Sequence, residues 1–272
     1  MRPEIDAPTA RAALEWLMEL GCDEAIDEHP VNRFALSERM PVPERPEAPR
    51  AAPAAGGTPR REDPVAAARH AAAGAASIAE LRDALARYPH CELRLGTTRL
   101  VFSDGMPGAR VMIVGDAPDR EDARAGRPFA GRAGALLDAM LAAIGLRRNA
   151  EDPAQAAYLT AALPWRPAGP EAEAQHVAML EPFLRRHVEL AAPDVVVLMG
   201  NDATAAALGE RGMTRLRGTW TEAFGRPALP ILPPRYLLVH PDAKREAWAD
   251  LLVLAARLEL PTVPSLARKD SR

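Results

Sequence analysis

Four short apolar segments, each bounded by turn residues, constrain the fold of this chain more than any other feature. They occupy residues 110–115, 157–163, 193–200 and 227–232. Short apolar runs between turn signals are typical of buried parallel strands. Strands that alternate with helical patterns predict a three-layer α/β/α domain with a central four-stranded parallel sheet. In such a domain ligands bind at the carboxyl ends of the strands.

Helical patterns occupy the stretches between and after these segments. Residues 131–146 carry one apolar stripe, which is made of Leu136, Leu137, Met140, Leu141 and Ile144. Further helices are predicted over residues 171–191, 201–209 and 242–260. With a helix after each strand, both faces of the sheet should be covered.

The first part of the chain has a different character. Thr9 can cap a short amphipathic helix that Gly21 ends, so residues 1–40 are predicted to form an N-terminal helical extension. Residues 41–64 are rich in proline, alanine and charge. Such a composition buries too little apolar surface to fold, which predicts a linker that proteases cut first.

The α/β/α domain itself is predicted over residues 65–262, followed by a tail at 263–272. After cleavage of the linker we expect a stable fragment that begins between Val65 and Ser77. A capping box formed by Ser77 and Glu80 opens a helix that ends near Tyr88.

Composition excludes several classes of protein. The 34 basic and 37 acidic residues give a net charge of −3, so binding to nucleic acid would need a local basic surface. Two cysteines are too few for a disulfide framework or a four-thiolate metal site. The N-terminus lacks a signal pattern, and no apolar run approaches the ~20 residues that span a bilayer. We therefore expect a cytoplasmic monomer without a membrane partner.

The segment 115–146 contains the most informative motif, GDAPDREDARAGRPFAGRAGALLDAMLAAIGL. A strand ends in Gly-Asp-Ala-Pro, an acidic loop follows, and Pro-Phe-Ala-Gly leads into a helix. This arrangement closely resembles the uracil-DNA glycosylase superfamily, in particular the bacterial branch usually associated with an iron–sulfur cluster. Further agreement runs in order from about His90 to Leu258 and comes from YLT with PWRP, PDVVVLMG, TRLRG and KREAWADL.

The resemblance implies a reaction on DNA. The base is flipped out of the duplex into a pocket, and the glycosidic bond breaks with positive charge on the sugar and negative charge on the departing uracil. In the family, an acidic or amide residue after the first strand positions water, and an asparagine after the second strand reads the uracil edge. A histidine of a His-Pro pair after the fourth strand donates a hydrogen bond to the leaving base, and a phenylalanine stacks on its ring.

Carried over residue by residue, the resemblance assigns Phe129 to the stacking position and places Gly115 and Ala117 beside the base. Asp116 stands where the family has glutamate. Its side chain is one methylene shorter, which would move a bound water by about 1 Å, enough to affect catalysis. Ala161 stands where the family has asparagine, and losing a bidentate reader removes ~1–3 kcal/mol of discrimination between bases.

The pair His240-Pro241 lies close to the expected motif histidine but is offset from it. Alignment without gaps back from Trp248 puts Tyr236 on the family's tyrosine and Pro233 on its catalytic histidine. Making His240 the catalytic group would require a deletion that discards this match. We therefore interpret His240 as a surface residue before the last helix.

The resemblance also predicts residues that contact DNA. Each of the assigned residues could instead have an ordinary structural role. Arg132 would lie near the pocket, and Tyr236, Leu237 and Leu238 would form a loop that wedges into DNA; the two leucines could equally pack on the sheet. Asp116 could simply cap a turn, and the Phe129 side chain could simply pack within a loop.

A basic rim near the pocket would be formed by Arg120, Arg124, Arg127 and Arg132. These arginines could instead pair with neighbouring acidic residues, which are Asp119, Glu121 and Asp122.

The family's four cluster ligands are not matched. Cys91 occupies one ligand position, Tyr88 stands where its Cys-x-x-Cys partner would be, and Trp165 and Leu180 fall on the other two. Because a cubane cluster needs four thiolates, we expect no iron–sulfur cluster, no metal and no other cofactor.

Three hypotheses for function follow. The first is a DNA-repair protein of the superfamily, a pseudoenzyme or near-pseudoenzyme, whose uracil excision is lost or strongly weakened and which retains binding to DNA or to a base. The second is an active DNA N-glycosylase of altered specificity that uses Asp116 and the main chain. The third is a non-catalytic interaction module that acts through the N-terminal segment and linker.

Overall fold

The computed structural model describes residues 63–96, 99–167 and 172–260. The predicted N-terminal helix, the linker up to residue 62 and the tail lie outside the described residues. Within the described part, no helix is long and apolar enough to cross a membrane.

A six-stranded sheet in the order β1-β3-β2-β4-β6-β5 forms the middle layer. Its four inner strands are parallel, which confirms the predicted core. They are β2 (Val111–Gly115), β3 (Ala157–Ala161), β4 (Val195–Met199) and β6 (Arg226–Pro230). Every residue of β2, β3 and β4 is buried, as expected for strands covered on both faces.

Two antiparallel edge strands complete the sheet and were not predicted. They are β1 (Ser103–Gly105), which pairs with β3, and β5 (Thr221–Ala223), which pairs with β6. Each has three residues with the sequence SDG or TEA. Such segments are too short and too polar to show the periodicity that identifies a strand.

Helices cover both faces of the sheet. Alternate residues of β2 point to opposite sides, so Met112 and Val114 join one hydrophobic cluster, whereas Val111 and Ile113 join the other. The first cluster is covered by α1 (Pro64–Ala73), α2 (Ile78–Arg87), α6 (Ala174–Ala191) and α7 (Asn201–Leu208). The second is covered by α5 (Gly131–Ala142) and the last helix, α10 (Lys244–Leu258). The three-layer architecture is thus confirmed.

The remaining helices are short. They are α3 (Leu93–Gly96), α4 (Arg120–Ala125), α8 (Met213–Leu216), α9 (Pro234–Val239) and a 3-10 turn over Pro241–Ala243. Helix α9 replaces the loop that was predicted after the fourth strand. Proline is favoured at the first helical position because its missing N–H would have no partner there, so the pair Pro233-Pro234 starts this helix rather than preventing it.

Helix α1 makes the start of the domain testable. The carboxylate of Asp63 accepts a hydrogen bond from the Val65 N–H at 3.0 Å, and the Tyr88 hydroxyl donates to the carbonyl of Pro64 at 2.5 Å. Ala68 and Ala72 are buried in the first cluster. A chain that starts at residue 63 should therefore melt like the full chain, whereas one that starts at Ser77 should lose about 2 kcal/mol or more. Thermal melts should show this as a Tm lower by about 4–8 °C; equal Tm values for the two truncations would contradict the role given to α1.

Candidate active site

A pocket opens where the parallel strands end. Its empty space, including the mouth, measures about 430 Å³. Gly115, Ala161 and Met199, at the carboxyl ends of β2, β3 and β4, form its floor. Its other lining residues come from helices α4, α5 and α9 and from the loops next to them. They are Asp116, Asp122, Pro128, Phe129, Ala133, Pro233, Pro234 and Arg235. The position is the one at which doubly wound sheets bind ligands.

The structure gathers the four positions to which the resemblance assigns chemistry. Asp116, Phe129, Ala161 and Pro233 all line this one pocket, although they come from separate parts of the chain. His240 does not line it; its side chain is exposed and packs on the Tyr236 ring at a centroid distance of 4.3 Å. His240 instead lines the neighbouring groove, which shares Asp116 and Pro233 with the pocket. The assignment of the motif position to Pro233 remains a prediction.

Asp116 is held by the start of α7. Its Oδ1 atom accepts hydrogen bonds from the Asp202 N–H at 2.7 Å and from the Ala203 N–H at 3.4 Å. Gly200 precedes the helix, and a Cβ there would collide with the Asp116 carboxylate. The side chain therefore caps a helix and borders the pocket, so the two interpretations of Asp116 describe the same geometry.

The environment of Asp116 changes its acidity. Burial, and next the nearby carboxylate of Asp202, raise the pKa of Asp116 to about 6, against the lowering effect of the two backbone hydrogen bonds. A carboxyl group with such a pKa is ionised near neutral pH yet can take up a proton readily. These are the properties of a general base.

Asp202 is a site residue that the sequence analysis missed. Its Oδ2 atom accepts a hydrogen bond from the Ala117 N–H at 3.3 Å, and its Oδ1 atom lies 3.1 Å from the Arg211 guanidinium. Ala117 thus borders the neighbouring polar cleft rather than the pocket. In the sequence, Asp202 only marks an acidic first turn of a helix, and no local signal connects it to Asp116.

Phe129 has an unusual backbone. Its φ angle is +51°, which costs a residue with a Cβ atom roughly 1 kcal/mol or more. Its ring lies against Gly115, where an added Cβ would come within 2.5 Å of the ring Cζ atom. A glycine at the strand end therefore lets the ring cover the floor of the pocket.

Arg148 holds this strained segment and was also missed. Its guanidinium donates to the carbonyl oxygens of Phe129 at 3.2 Å and Pro128 at 3.5 Å. It also bonds Asp104 at 2.9 Å and Asp138 at 2.6 Å, and its side chain is only 10% exposed. An arginine fork suits several planar acceptors at once.

The acidic residues near the pocket are not paired with the neighbouring arginines of the predicted basic rim in the contacts described below. Asp119 caps α4 by accepting from the N–H groups of Glu121 and Asp122, and Asp122 accepts from the Ala130 N–H at 2.7 Å. Their cationic neighbour is Arg235, whose Nη2 atom lies 3.1 Å from Asp119 and 3.8 Å from Asp122.

The residues assigned to a basic rim are distributed over several contacts. Arg127 pairs with Asp104 at 2.9 Å. The side chains of Arg120, Arg124 and Arg132 are exposed and are absent from the pocket lining. Of the cations in the described part of the chain, Arg235 is the one that lines the pocket.

The predicted wedge residues divide between core and surface. Leu237 is 1% exposed and packs in the second cluster, so in this conformation it cannot contact DNA. Leu238 and Val239 are exposed, and Tyr236 is partly buried. The reason is the helical geometry of α9, which turns Leu237 towards the sheet and Leu238 towards solvent.

The four positions aligned with the family's iron–sulfur ligands are buried in the hydrophobic core and carry one cysteine. Tyr88, Cys91, Trp165 and Leu180 are each at most 4% exposed and belong to one hydrophobic cluster, in which the Tyr88 and Phe183 rings meet edge to face. Burial raises the pKa of the Cys91 thiol, which disfavours the thiolate that iron requires. Among the described residues no group of three or more His, Cys, Asp or Glu side chains is placed to hold a metal.

Purified protein should therefore show no absorbance band near 400 nm and no stoichiometric iron, even after incubation with ferrous iron and sulfide. The reason is that three of the four ligand positions carry Tyr88, Trp165 and Leu180, none of which supplies a thiolate. A brown protein with four irons per chain would contradict this prediction.

Several known proteins are similar to this chain in sequence. A sequence model described as "Uracil DNA glycosylase superfamily" matches residues 102–252. The type-4 uracil-DNA glycosylase of Thermotoga maritima is 35% identical over 156 residues, which cover 54% of this chain and 76% of that protein. That of Archaeoglobus fulgidus is 38% identical over 170 residues, or 59% and 82% of the two chains. A third, from Sulfurisphaera tokodaii, is 28% identical over 149 residues, or 52% and 65%.

The matched region begins at the first edge strand and ends within the last helix, so it contains the whole sheet and every segment that lines the pocket. It covers more than half of the chain, and two of the relatives exceed 30% identity over most of their own length. This chain belongs to the uracil-DNA glycosylase superfamily.

Proposed function

We propose that this protein is a DNA-repair protein that takes an extrahelical base into the pocket and that it excises uracil far more slowly than a family member with asparagine and histidine at positions 161 and 233. The observation that carries the proposal is the lining of the pocket. It keeps the stacking ring of Phe129 and the carboxylate of Asp116, but Ala161 and Pro233 supply no side-chain donor.

The retained groups are sufficient to bind a base. Stacking of a nucleobase on an aromatic side chain contributes about 1–3 kcal/mol and does not depend on which base is present. Ala133, Met199 and Pro234 add apolar surface to the pocket. Its other charged lining residues are Asp122 and Arg235. The three relatives described above are named as uracil-DNA glycosylases, which supports DNA as the partner despite the net charge of −3.

The missing groups affect the chemical step. When the bond from uracil N1 to C1′ breaks, both electrons move onto the base and leave an oxocarbenium ion on the sugar. A water oxygen adds to C1′, its proton passes to the Asp116 carboxylate, and the uracil anion finally takes a proton from solvent. Without the family's histidine at position 233, the negative charge on the departing base loses one donor, which costs about 10²–10³ in rate.

Replacing Asp116 by Asn should abolish the remaining excision and yet stabilise the fold near neutral pH. The folded state binds the Asp116 proton more tightly than the unfolded state, so its burial penalty grows as pH rises from 3.8 to about 6. The Asn side chain carries no such penalty and can still accept from the Asp202 N–H. We expect a gain of about 1–3 kcal/mol above this pH window and little difference below it.

Thermal melts of Asp116→Asn and wild type across this pH range measure the effect. Asp242→Asn serves as the control, because Asp242 is exposed at the start of the 3-10 turn. Equal destabilisation of Asp116→Asn at every pH would show that the helix cap matters more than the charge.

A second function, an N-glycosylase of altered specificity, is favoured by one observation. The pocket has lost its base reader at Ala161 but retains a carboxylate with a pKa near 6. Such a pocket suits a base that leaves easily and that needs no edge recognition. An assay over DNA substrates that carry uracil, thymine mismatches, hypoxanthine, xanthine and alkylated bases would find it.

One experiment separates the three hypotheses. Binding to single-stranded and duplex DNA with and without uracil should be measured beside excision over the substrate panel. Preferential binding to uracil-containing DNA with slow or absent excision supports the first proposal. Fast excision of another base supports the second. If the protein neither binds DNA nor excises any base, an interaction module is left.

A further inference from the structure

Arg235 occupies an unusual place in the molecule. It lines the central pocket, a polar cleft of about 750 Å³ and an open groove of about 880 Å³. Asp116 is the other residue common to these three spaces. A base bound beside Asp116 would therefore lie in a pocket that Arg235 also lines.

The position of Arg235 in the chain explains its proximity. It follows Pro233 by two residues, and both belong to the segment that enters α9. Pro233 stands at the aligned position of the family's histidine and offers neither an imidazole nor a backbone N–H. The charged side chain of Arg235 thus comes from the same turn as the missing donor.

The ion pairs of Arg235 are weak enough for its guanidinium to bind a ligand instead. Its ion pair with Asp119 joins side chains that are 52% and 30% exposed, and exposed pairs of this kind are held weakly. Asp122, 3.8 Å from the same nitrogen, lines the pocket. Arg235 itself belongs to the lining of the pocket in which a base would bind.

We infer that Arg235 is a catalytic residue that stabilises the negative charge of the departing base, in place of the family's histidine. This inference rests on the proposed function, because it requires a base in the pocket. As the N1–C1′ bond breaks, the electron pair that moves onto the base spreads to its carbonyl oxygens. A guanidinium beside those oxygens stabilises the anion as a permanently charged donor. No proton needs to be transferred from Arg235; the anion takes its proton from solvent.

Binding of 5-fluorouracil tests the inference without requiring turnover. This base loses a proton in mildly alkaline solution. Raising the pH therefore converts one ligand from its neutral form to an anion of nearly the same shape. Wild-type protein should bind the anion more tightly. Arg235→Gln should lose about tenfold in affinity for the anion, less than for a fully buried donor, and should bind the neutral form unchanged. Arg235→Lys should retain part of the preference.

Arg215→Gln is the matched control, since Arg215 is 73% exposed, pairs with Glu210 and does not line the pocket. It should keep the preference for the anion in full. If Arg235→Gln also keeps it, Arg235 is not the stabilising group, although the base pocket stands. If wild-type protein binds neither form, the proposed pocket and the inference fall together.

DNA binding distinguishes the remaining role for this arginine. A phosphate contact would make Arg235→Gln weaken binding to all DNA equally and reduce the salt dependence, with no change in the preference for the anionic base. That result would overturn the inference. If any uracil excision is measurable, Arg235→Gln should lower kcat with little change in KM, and the loss should be smaller for 5-fluorouracil in DNA, a better leaving group.

Discussion

The double replacement Pro233→His with Ala161→Asn should raise uracil excision by about 10²–10⁴-fold over the wild-type chain. The histidine supplies a donor to the departing base, whose absence costs about 10²–10³ in rate, and the asparagine supplies a reader of the uracil edge. Both side chains would project into the pocket beside Asp116 and Phe129. Because groups that act together are not additive, the gain should be less than the product of the two single effects.

The backbone at residue 233 can accept this change. Pro233 has φ −70° and ψ 146°, and these values are favourable for any residue that precedes a proline. Its carbonyl oxygen accepts from the Tyr236 N–H at 2.9 Å, a bond that histidine preserves. Misfolding of the variant is therefore not expected, and a Tm within a few degrees of wild type should be verified first.

The single variants, the double variant and His240→Ala should be assayed on single-stranded DNA that contains uracil. His240→Ala is the control, because this side chain lies outside the pocket. An excision rate in the wild type equal to that of typical family members, abolished by His240→Ala, would show that His240 is the catalytic group and that the ungapped alignment is wrong. A double variant as slow as the wild type would show that the pocket lacks more than these two donors.

The second large effect is expected from Arg148→Ala. The replacement would leave the carboxylate of Asp104 and the carbonyl oxygens of Pro128 and Phe129 without the donor that now joins them. Asp104 keeps its pair with Arg127, and the Asp104 and Asp138 side chains are 25% and 50% exposed. Losing the donor of this partly buried network should therefore cost about 1–3 kcal/mol. The free energy of unfolding, measured in urea, should fall by this amount, and Arg148→Lys should recover only part of it because an ammonium lacks the planar fork.

If Arg148 only stabilised the fold, its loss would leave the pocket unchanged in those molecules that remain folded. Since Arg148 bonds the carbonyl of a residue with φ +51°, its loss should let Phe129 relax away from Gly115 and should lower base affinity about tenfold at a temperature where the variant is folded. Arg147→Ala, at the exposed neighbouring position, is the control and should change neither quantity. Stability and base affinity equal to wild type in Arg148→Ala would refute the role given to this residue.

The sheet illustrates how far local patterns reach. The four parallel strands were predicted close to their observed bounds, because each is a buried apolar run flanked by turn residues. The edge strands Ser103–Gly105 and Thr221–Ala223 were missed because their pairing depends on a neighbouring strand rather than on their own sequence. Helix α9 lies where a loop was predicted, and the pair Pro233-Pro234 opens this helix.

The sequence by itself determined the fold class and the family, since periodicity and an ordered set of motifs can be recognised locally along the chain. The site roles of Asp116, Phe129, Ala161 and Pro233 are predictions from the same motifs. Only the tertiary structure decided which side chains act on these positions. Asp202 meets Asp116 across 86 residues, Arg148 holds Phe129 across 19, and Arg235 reaches Asp119 across 116. Such contacts arise from the packing of distant elements at one edge of the sheet. Arg235 has no distinguishing feature in the sequence, yet in the folded protein it is the cation that lines the pocket.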